Sequence, residues 1–206
     1  MASRVRWGRI LLALFFVLVL AGAIIYRFVF LLVSPKSAEM APALFPGDAA
    51  LAVRTAEPQR GDVIAFEHPQ QKGIIATRRV IAMPGDTVAL KDQIVVLNGK
   101  ELKRQQLGTL AVEEPGERTS QVLELWREEG VGGRSWEILL NPRRRTRDFG
   151  PLEVKDGYFV LADSRNHGRG SNEYGVVPQK NVRGVVRYLI SATPAKGVAP
   201  RGTRVP

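Results

Sequence analysis

The sequence predicts a mainly β domain of antiparallel strands carried on one N-terminal transmembrane helix. Three observations predict it. Residues 10–33 form a 24-residue apolar run broken by a single charge, Arg27. Beyond it come apolar runs of mostly four or five residues, the length of strands rather than helices. Turn signals separate these runs, in Pro46-Gly47-Asp48, Arg60-Gly61-Asp62, Pro84-Gly85-Asp86 and Asn98-Gly99. A chain of 206 residues suits one such domain with a core of its own plus the anchor, and no repeat of solenoid length is present.

The uninterrupted part of the apolar run, residues 10–26, is 17 residues long. At a 1.5 Å rise per residue a helix crosses a hydrocarbon core of about 30 Å in roughly 20 residues, so the run spans with Arg27 snorkelling at one interface. A cleaved leader is the alternative, with Ala21-Gly22-Ala23 as its small-residue site. Against it, Ile24, Ile25, Phe28, Val29, Phe30, Leu31 and Leu32 continue the apolar pattern past that site. The basic N-terminus, residues 1–9 with Arg4, Arg6 and Arg9, is expected in the cytoplasm. The domain from 34 to 190 is then extracytoplasmic, as a single-pass protein of the cell membrane.

In the outer domain, Ala49-Ala50-Leu51-Ala52-Val53 reads as a strand, and so does Val63-Ile64-Ala65-Phe66 between Gly61 and His68-Pro69. Residues 74–83 form a longer run carrying Arg78 and Arg79 side by side. Period-two alternation sends those arginines to opposite faces, so one must point inward or along a cleft. Strands follow at Thr87-Val88-Ala89-Leu90 and Ile94-Val95-Val96-Leu97. Asn98-Gly99 then suits a type I′ hairpin leading into Lys100-Glu101-Leu102. Residues 103–148 are more charged and hold Gly130-Val131-Gly132-Gly133, which predicts an inserted, partly separate subdomain of short strands. Regular structure resumes at Gly157-Tyr158-Phe159-Val160-Leu161 and ends with the run 182–190. The Ala/Pro/Gly/Arg-rich tail, 191–206, reads as disordered.

Composition excludes some functions. There are no cysteines, so no disulfide framework or thiolate metal site can form. His68 and His167 lack partners at ligand spacing, so no metal and no cofactor is expected. The first 34 residues hold four arginines and no acid, so the rest carries +6 of the total +10. That balance suits anionic membrane lipids. The Arg143-Arg144-Arg145-Thr146-Arg147 run has no interleaved aromatics for base stacking, so no nucleic-acid partner is expected.

Four stretches, in order, carry a resemblance. They are Ser37-Ala38-Glu39-Met40-Ala41-Pro42-Ala43-Leu44-Phe45-Pro46-Gly47-Asp48, Arg60-Gly61-Asp62-Val63-Ile64-Ala65-Phe66, Arg78-Arg79-Val80-Ile81-Ala82-Met83-Pro84-Gly85-Asp86, and Leu161-Ala162-Asp163-Ser164-Arg165-Asn166. Behind an N-terminal anchor, they resemble the type I signal peptidases, membrane-bound serine peptidases that remove secretory leader peptides. The resemblance implies that family's β-fold, with antiparallel sheets and a small inserted subdomain. Its first motif reads S-x-S-M-x-P-T-L-x-x-G-D, with the second Ser as nucleophile, and that position holds Glu39. The family's general-base lysine position, counted back from Pro84-Gly85-Asp86, holds Arg78. Arginine stays protonated and offers no acceptor, so it cannot be that base.

By the same resemblance, Ser37 matches the residue whose hydroxyl lines the oxyanion hole, and Arg79 with Asp163 form a structural ion pair near the site. The family's last motif reads G-D-N-R-D-N-S-x-D-S-R, where this chain reads Ala162-Asp163-Ser164-Arg165-Asn166-His167-Gly168-Arg169-Gly170-Ser171-Asn172. If the two dyad positions face each other, Glu39 and Arg78 are expected to form a carboxylate–guanidinium pair that plugs the cleft. The bland alternative makes them independent surface charges.

Three functional readings follow. The chain is a membrane-anchored pseudopeptidase that binds extended peptides, preproteins or a partner near the membrane, a catalytically intact relative among the candidates. Alternatively it is an active but atypical signal peptidase. Ser37, set two residues from Glu39 along an expected strand, Lys72, or an acid pair of Asp163 with Glu39 would then supply the chemistry. A third reading is a structural assembly factor with a closed groove.

Overall fold

The computed structural model describes residues 7–116 and 119–191. The basic stretch through Arg6 and the tail from 192 onward lie outside the described residues. A helix, α1 (Trp7–Val29), opens the chain, and its Ile10–Val29 segment is long and apolar enough to cross a bilayer. The last four residues of the apolar run leave the helix as strand β1 (Phe30–Val33), which pairs antiparallel with β2 (Ala49–Val53). Arg54 fixes the junction: its N–H donates to the Val29 carbonyl at 2.8 Å and its Nε to the Phe30 carbonyl at 3.1 Å. A carbonyl at a helix end lacks an intrahelical donor, so these bonds favour the switch to sheet here.

Among the described residues, the domain that follows α1 contains three antiparallel sheets. The largest joins β1 and β2 to β13 (Val182–Ser191), β3 (Val63–Glu67), β4 (Ile75–Ala82) and β12 (Phe159–Leu161), in that order. A four-stranded sheet follows the order β11 (Phe149–Glu153), β5 (Thr87–Lys91), β6 (Ile94–Leu97), β7 (Lys100–Glu101). The Asn98-Gly99 turn between the last two has φ of 51° and 77°, as a type I′ hairpin requires. Strand β11 has no counterpart in the sequence reading, because Gly150-Pro151 interrupts its apolar pattern.

Residues 103–148 hold the third sheet, ordered β10 (Ser135–Leu140), β9 (Gln121–Glu129), β8 (Arg104–Val112). This sheet is built into the body of the domain. Trp136 and Ile138 share one core with Val88, Leu90, Val95 and Phe159 of the neighbouring sheets. Leu110, Val112, Leu123 and Leu139 share another with Ala38, Ala41 and Phe45 of the first motif. A charged cluster adds to the docking: Glu128, fully buried, accepts hydrogen bonds from Arg104, Arg165 and the Trp136 Nε1. Charge partners and hydrogen bonds are what permit a carboxylate at that depth.

Candidate functional site

The first motif folds as a tight irregular segment on the core. Ser37 is extended, Ala38–Met40 form one 3-10 turn, and the Asp48 carboxylate, fully buried, accepts the Phe45 N–H at 2.7 Å. Ala38 and Met40 point inward, which turns Glu39, between them, out toward a groove. Ser37 and Glu39 therefore do not lie along a strand as expected, and the turn brings their side chains together. The Ser37 Oγ donates to Glu39 Oε2 at 3.2 Å, and this bond engages the hydroxyl that family resemblance places in the oxyanion hole.

Strand β4 delivers the two arginines to opposite faces, and both are buried. Arg78 reaches Glu39, its Nη2 lying 2.6 Å from Oε2, with the side chains 8% and 26% exposed. The rest of this guanidinium is held by carbonyls: Nε donates to Arg169 and Nη1 to Thr77. The backbone of Arg169 therefore touches both partners, because its N–H also donates to Glu39 Oε1 at 3.2 Å. Arg79 makes a bidentate pair with Asp163 at 2.7 and 2.6 Å, fully out of solvent, donates Nη1 to the Gly61 carbonyl and lies 5.4 Å from the Trp136 ring centre. A Cβ at Gly61, where φ is +86°, would stand 2.9 Å from the Trp136 ring, so glycine lets the turn approach this layer.

Burial alone would push the Glu39 carboxyl up. The charge and hydrogen bond of Arg78, with the Arg169 N–H and the Ser37 hydroxyl, outweigh it and hold the group below the usual carboxylate range. A carboxylate so held is a weak base, and Arg78 is no base at all. The serine and the lysine of the family's dyad are thus replaced by a carboxylate and a guanidinium bound to each other.

The other candidate residues lie elsewhere. Asp163 is engaged by Arg79, not by Glu39, so no acid pair forms between them. Lys72 stays in the β3–β4 turn, where its charge acts on Glu67. His68 packs on Tyr174 at 4.6 Å between ring centres, and His167 pairs with Glu114 at 2.9 Å. No group of three or more metal-ligating side chains occurs among the described residues.

Sequence reasoning missed Gly168 and Arg169. A Cβ at Gly168 would stand 2.5 Å from the Ala162 Cβ and 2.9 Å from the Glu39 Cβ, so the missing side chain makes room for Glu39. The family pattern, with Gly where this chain has Ala162 and Ser where it has Gly168, held that signal. Arg169 contributes through its backbone, which residue identity does not encode.

The groove into which Glu39 points has a volume of about 490 Å³. Its walls are β1 with the following residues through Ser37 on one side, and the stretch entering β4 up to Arg78 on the other. Among the described residues β1 pairs only with β2, and Ile75–Arg78 only with β3, so each wall presents a free backbone edge. Four antiparallel steps, β1 to β2 to β13 to β3 to β4, leave the two walls running in the same direction.

Comparison with known proteins follows this geometry. A signal peptidase I of Bacillus licheniformis is 28% identical over 160 residues, covering 75% of this chain and 73% of that one. Its counterpart in Rickettsia typhi is 30% identical over 146 residues, 66% of this chain but only 53% of its own length, so the chain matches about half of that relative. A crystal structure of a signal peptidase I from Enterococcus faecalis V583, 26% identical, aligns over 63% of this chain and 97% of that one with a TM-score of 0.37. The family model described as signal peptidase, peptidase S26, matches residues 6–190, and the chain belongs to that family.

Proposed function

We propose that this chain is a membrane-anchored signal peptidase homologue that has lost peptide-bond cleavage and keeps an extended-peptide site. The observation that carries this reading is the Glu39–Arg78 pair at 2.6 Å, standing where the family's nucleophile and base would be. Acyl transfer needs an activated nucleophile, and a guanidinium-bound carboxylate does not supply one. Binding needs no nucleophile: an extended segment entering the groove can bond to either free edge by strand addition. The open volume of about 490 Å³ favours a binding site over an assembly factor with a closed groove. Arg4, Arg6 and Arg9, ahead of the apolar run, support a cytoplasmic N-terminus, with the domain and its groove on the outer face.

One contact favours the active, atypical reading: the Ser37 Oγ lies 3.2 Å from a carboxylate oxygen. The depressed pKa of Glu39 makes it a poor acceptor for that proton. Incubating the purified full-length chain with a preprotein in detergent decides the matter. No processed product is expected from the parent. Cleavage by the parent that disappears in Ser37→Ala would overturn the reading and assign the nucleophile.

A further inference from the structure

The groove has two chemically different ends. Next to α1 it is apolar and open, with Leu32, Ile74 and Ile75 exposed to 60%, 51% and 45%. At the Glu39 end it is basic. Lys36 precedes Ser37, which bonds Glu39, and Arg169 gives Glu39 its backbone N–H. Both side chains line the groove, are exposed, and make no hydrogen bond or ion pair among the described residues. Glu39 and Arg78 neutralise each other, so among the side chains lining this end Lys36 and Arg169 leave two positive charges in surplus. His68, on the groove wall, reports the same field: after burial, Arg169 and Arg78 push its pKa down, and the opposing pull of Glu39 does not restore it.

We propose that the groove selects an extended peptide whose apolar residues lie at the α1 end and whose acidic side chain, farther along toward Glu39, is met by Lys36 and Arg169. The inference rests on reading the groove as a peptide site and adds the chemistry of its occupant. Free edges offer the backbone of any peptide the same hydrogen bonds, so selection falls to side chains. Two uncommitted cations beside an already neutralised pair favour an acid and repel a lysine. A lipid headgroup offers the same charge, but the basic groups stand at the end away from the membrane-crossing helix, which favours a peptide.

The test is binding of three labelled peptides to the full-length chain in neutral detergent, read by fluorescence anisotropy. They share one apolar stretch followed by Asp, Asn or Lys. Two exposed charge contacts predict binding of the Asp peptide about tenfold tighter than the Lys peptide, with Asn between and the spread shrinking as salt rises. Lys36→Glu and Arg169→Glu should each narrow the spread, and together reverse its order. Equal binding of all three peptides, lost in Ile74→Glu, would overturn the charge selection and leave the peptide groove standing. Binding of none would overturn both. If vesicles containing phosphatidylglycerol lose binding in the doubly reversed variant while the peptides show no preference, the basic end belongs to lipid and the proposal falls.

Discussion

Replacing Glu39 with Gln keeps the shape of the side chain and removes its charge, leaving Arg78, 8% exposed, with two carbonyl acceptors and no counter-ion. Breaking a buried pair by removing one partner costs about 3–5 kcal/mol. Here the cost is lower, because Glu39 keeps 26% of its side chain in water and Arg78 keeps its bonds to Thr77 and Arg169. We expect about 2 kcal/mol for Glu39→Gln, and somewhat less for Arg78→Met, where the stranded carboxylate retains the Arg169 N–H and the Ser37 hydroxyl. The double variant strands neither charge, so it should cost no more than the worse single one, which gives a coupling energy of about 1.5 kcal/mol. Urea denaturation in detergent near neutral pH, followed by the fluorescence of Trp126 and Trp136, measures all four corners of the cycle. Additivity of the two single changes within about 0.5 kcal/mol would show that Glu39 and Arg78 are two independent charges and undo the reading of a coupled pair.

Two further outcomes follow, one from the buried carboxylates and one from the packing around Glu39. Burial would raise the carboxyls of Glu39, Asp86 and Glu128, yet each is held below its ordinary value, by Arg78, Arg60 and Arg165 respectively as the leading opposing partner. A depressed folded-state pKa contributes stability above the unfolded value of roughly 4 and loses it as pH falls through the folded value, so the urea midpoint should hold from about pH 7 to 5 and then drop. Glu39→Gln should fall less steeply, and identical slopes for variant and parent would deny Glu39 a share. Gly168→Ser, by contrast, places a Cβ 2.5 Å from that of Ala162 and should cost about 1–3 kcal/mol by overpacking. Ala162→Gly in the same chain should recover part of it in thermal denaturation, and a Gly168→Ser variant as stable as the parent would refute the packing argument.

Strand-length apolar runs with Gly and Pro turns gave the mainly β fold because those signals act locally. Alternation likewise placed Arg78 and Arg79 on opposite faces of β4. The end of α1 at Val29 was not legible in an apolar run continuing to Val33, since the switch depends on bonds from Arg54, distant in sequence. Nor was the docking of the sheet at 103–148, where Glu128 of β9 meets Arg165 from the segment after β12. At the site, laying the chain on the family's motifs singled out Glu39 and Arg78. The 3-10 turn that engages the Ser37 hydroxyl, and the Arg169 peptide that joins the pair, came only from the fold.

Drift at the two dyad positions and construction of a new pairing there leave different marks. Drift requires no more than a changed nucleophile. Here both Glu39 oxygens are engaged, all three Arg78 nitrogens have acceptors, and the missing side chain at Gly168 leaves the space that Glu39 fills. The residues at 39, 78 and 168 fit one another, and the consequence reaches the backbone. A lysine at 78 could not satisfy the carbonyls of Thr77 and Arg169 in the same planar fork. A serine at 39 would be too short to take the Arg169 N–H in the place of the Glu39 Oε1. We therefore expect Glu39→Ser with Arg78→Lys alone to leave the Arg169 N–H and the Thr77 and Arg169 carbonyls without these partners, and a preprotein-cleavage assay of that double variant reads whether the loop still tolerates the family's dyad.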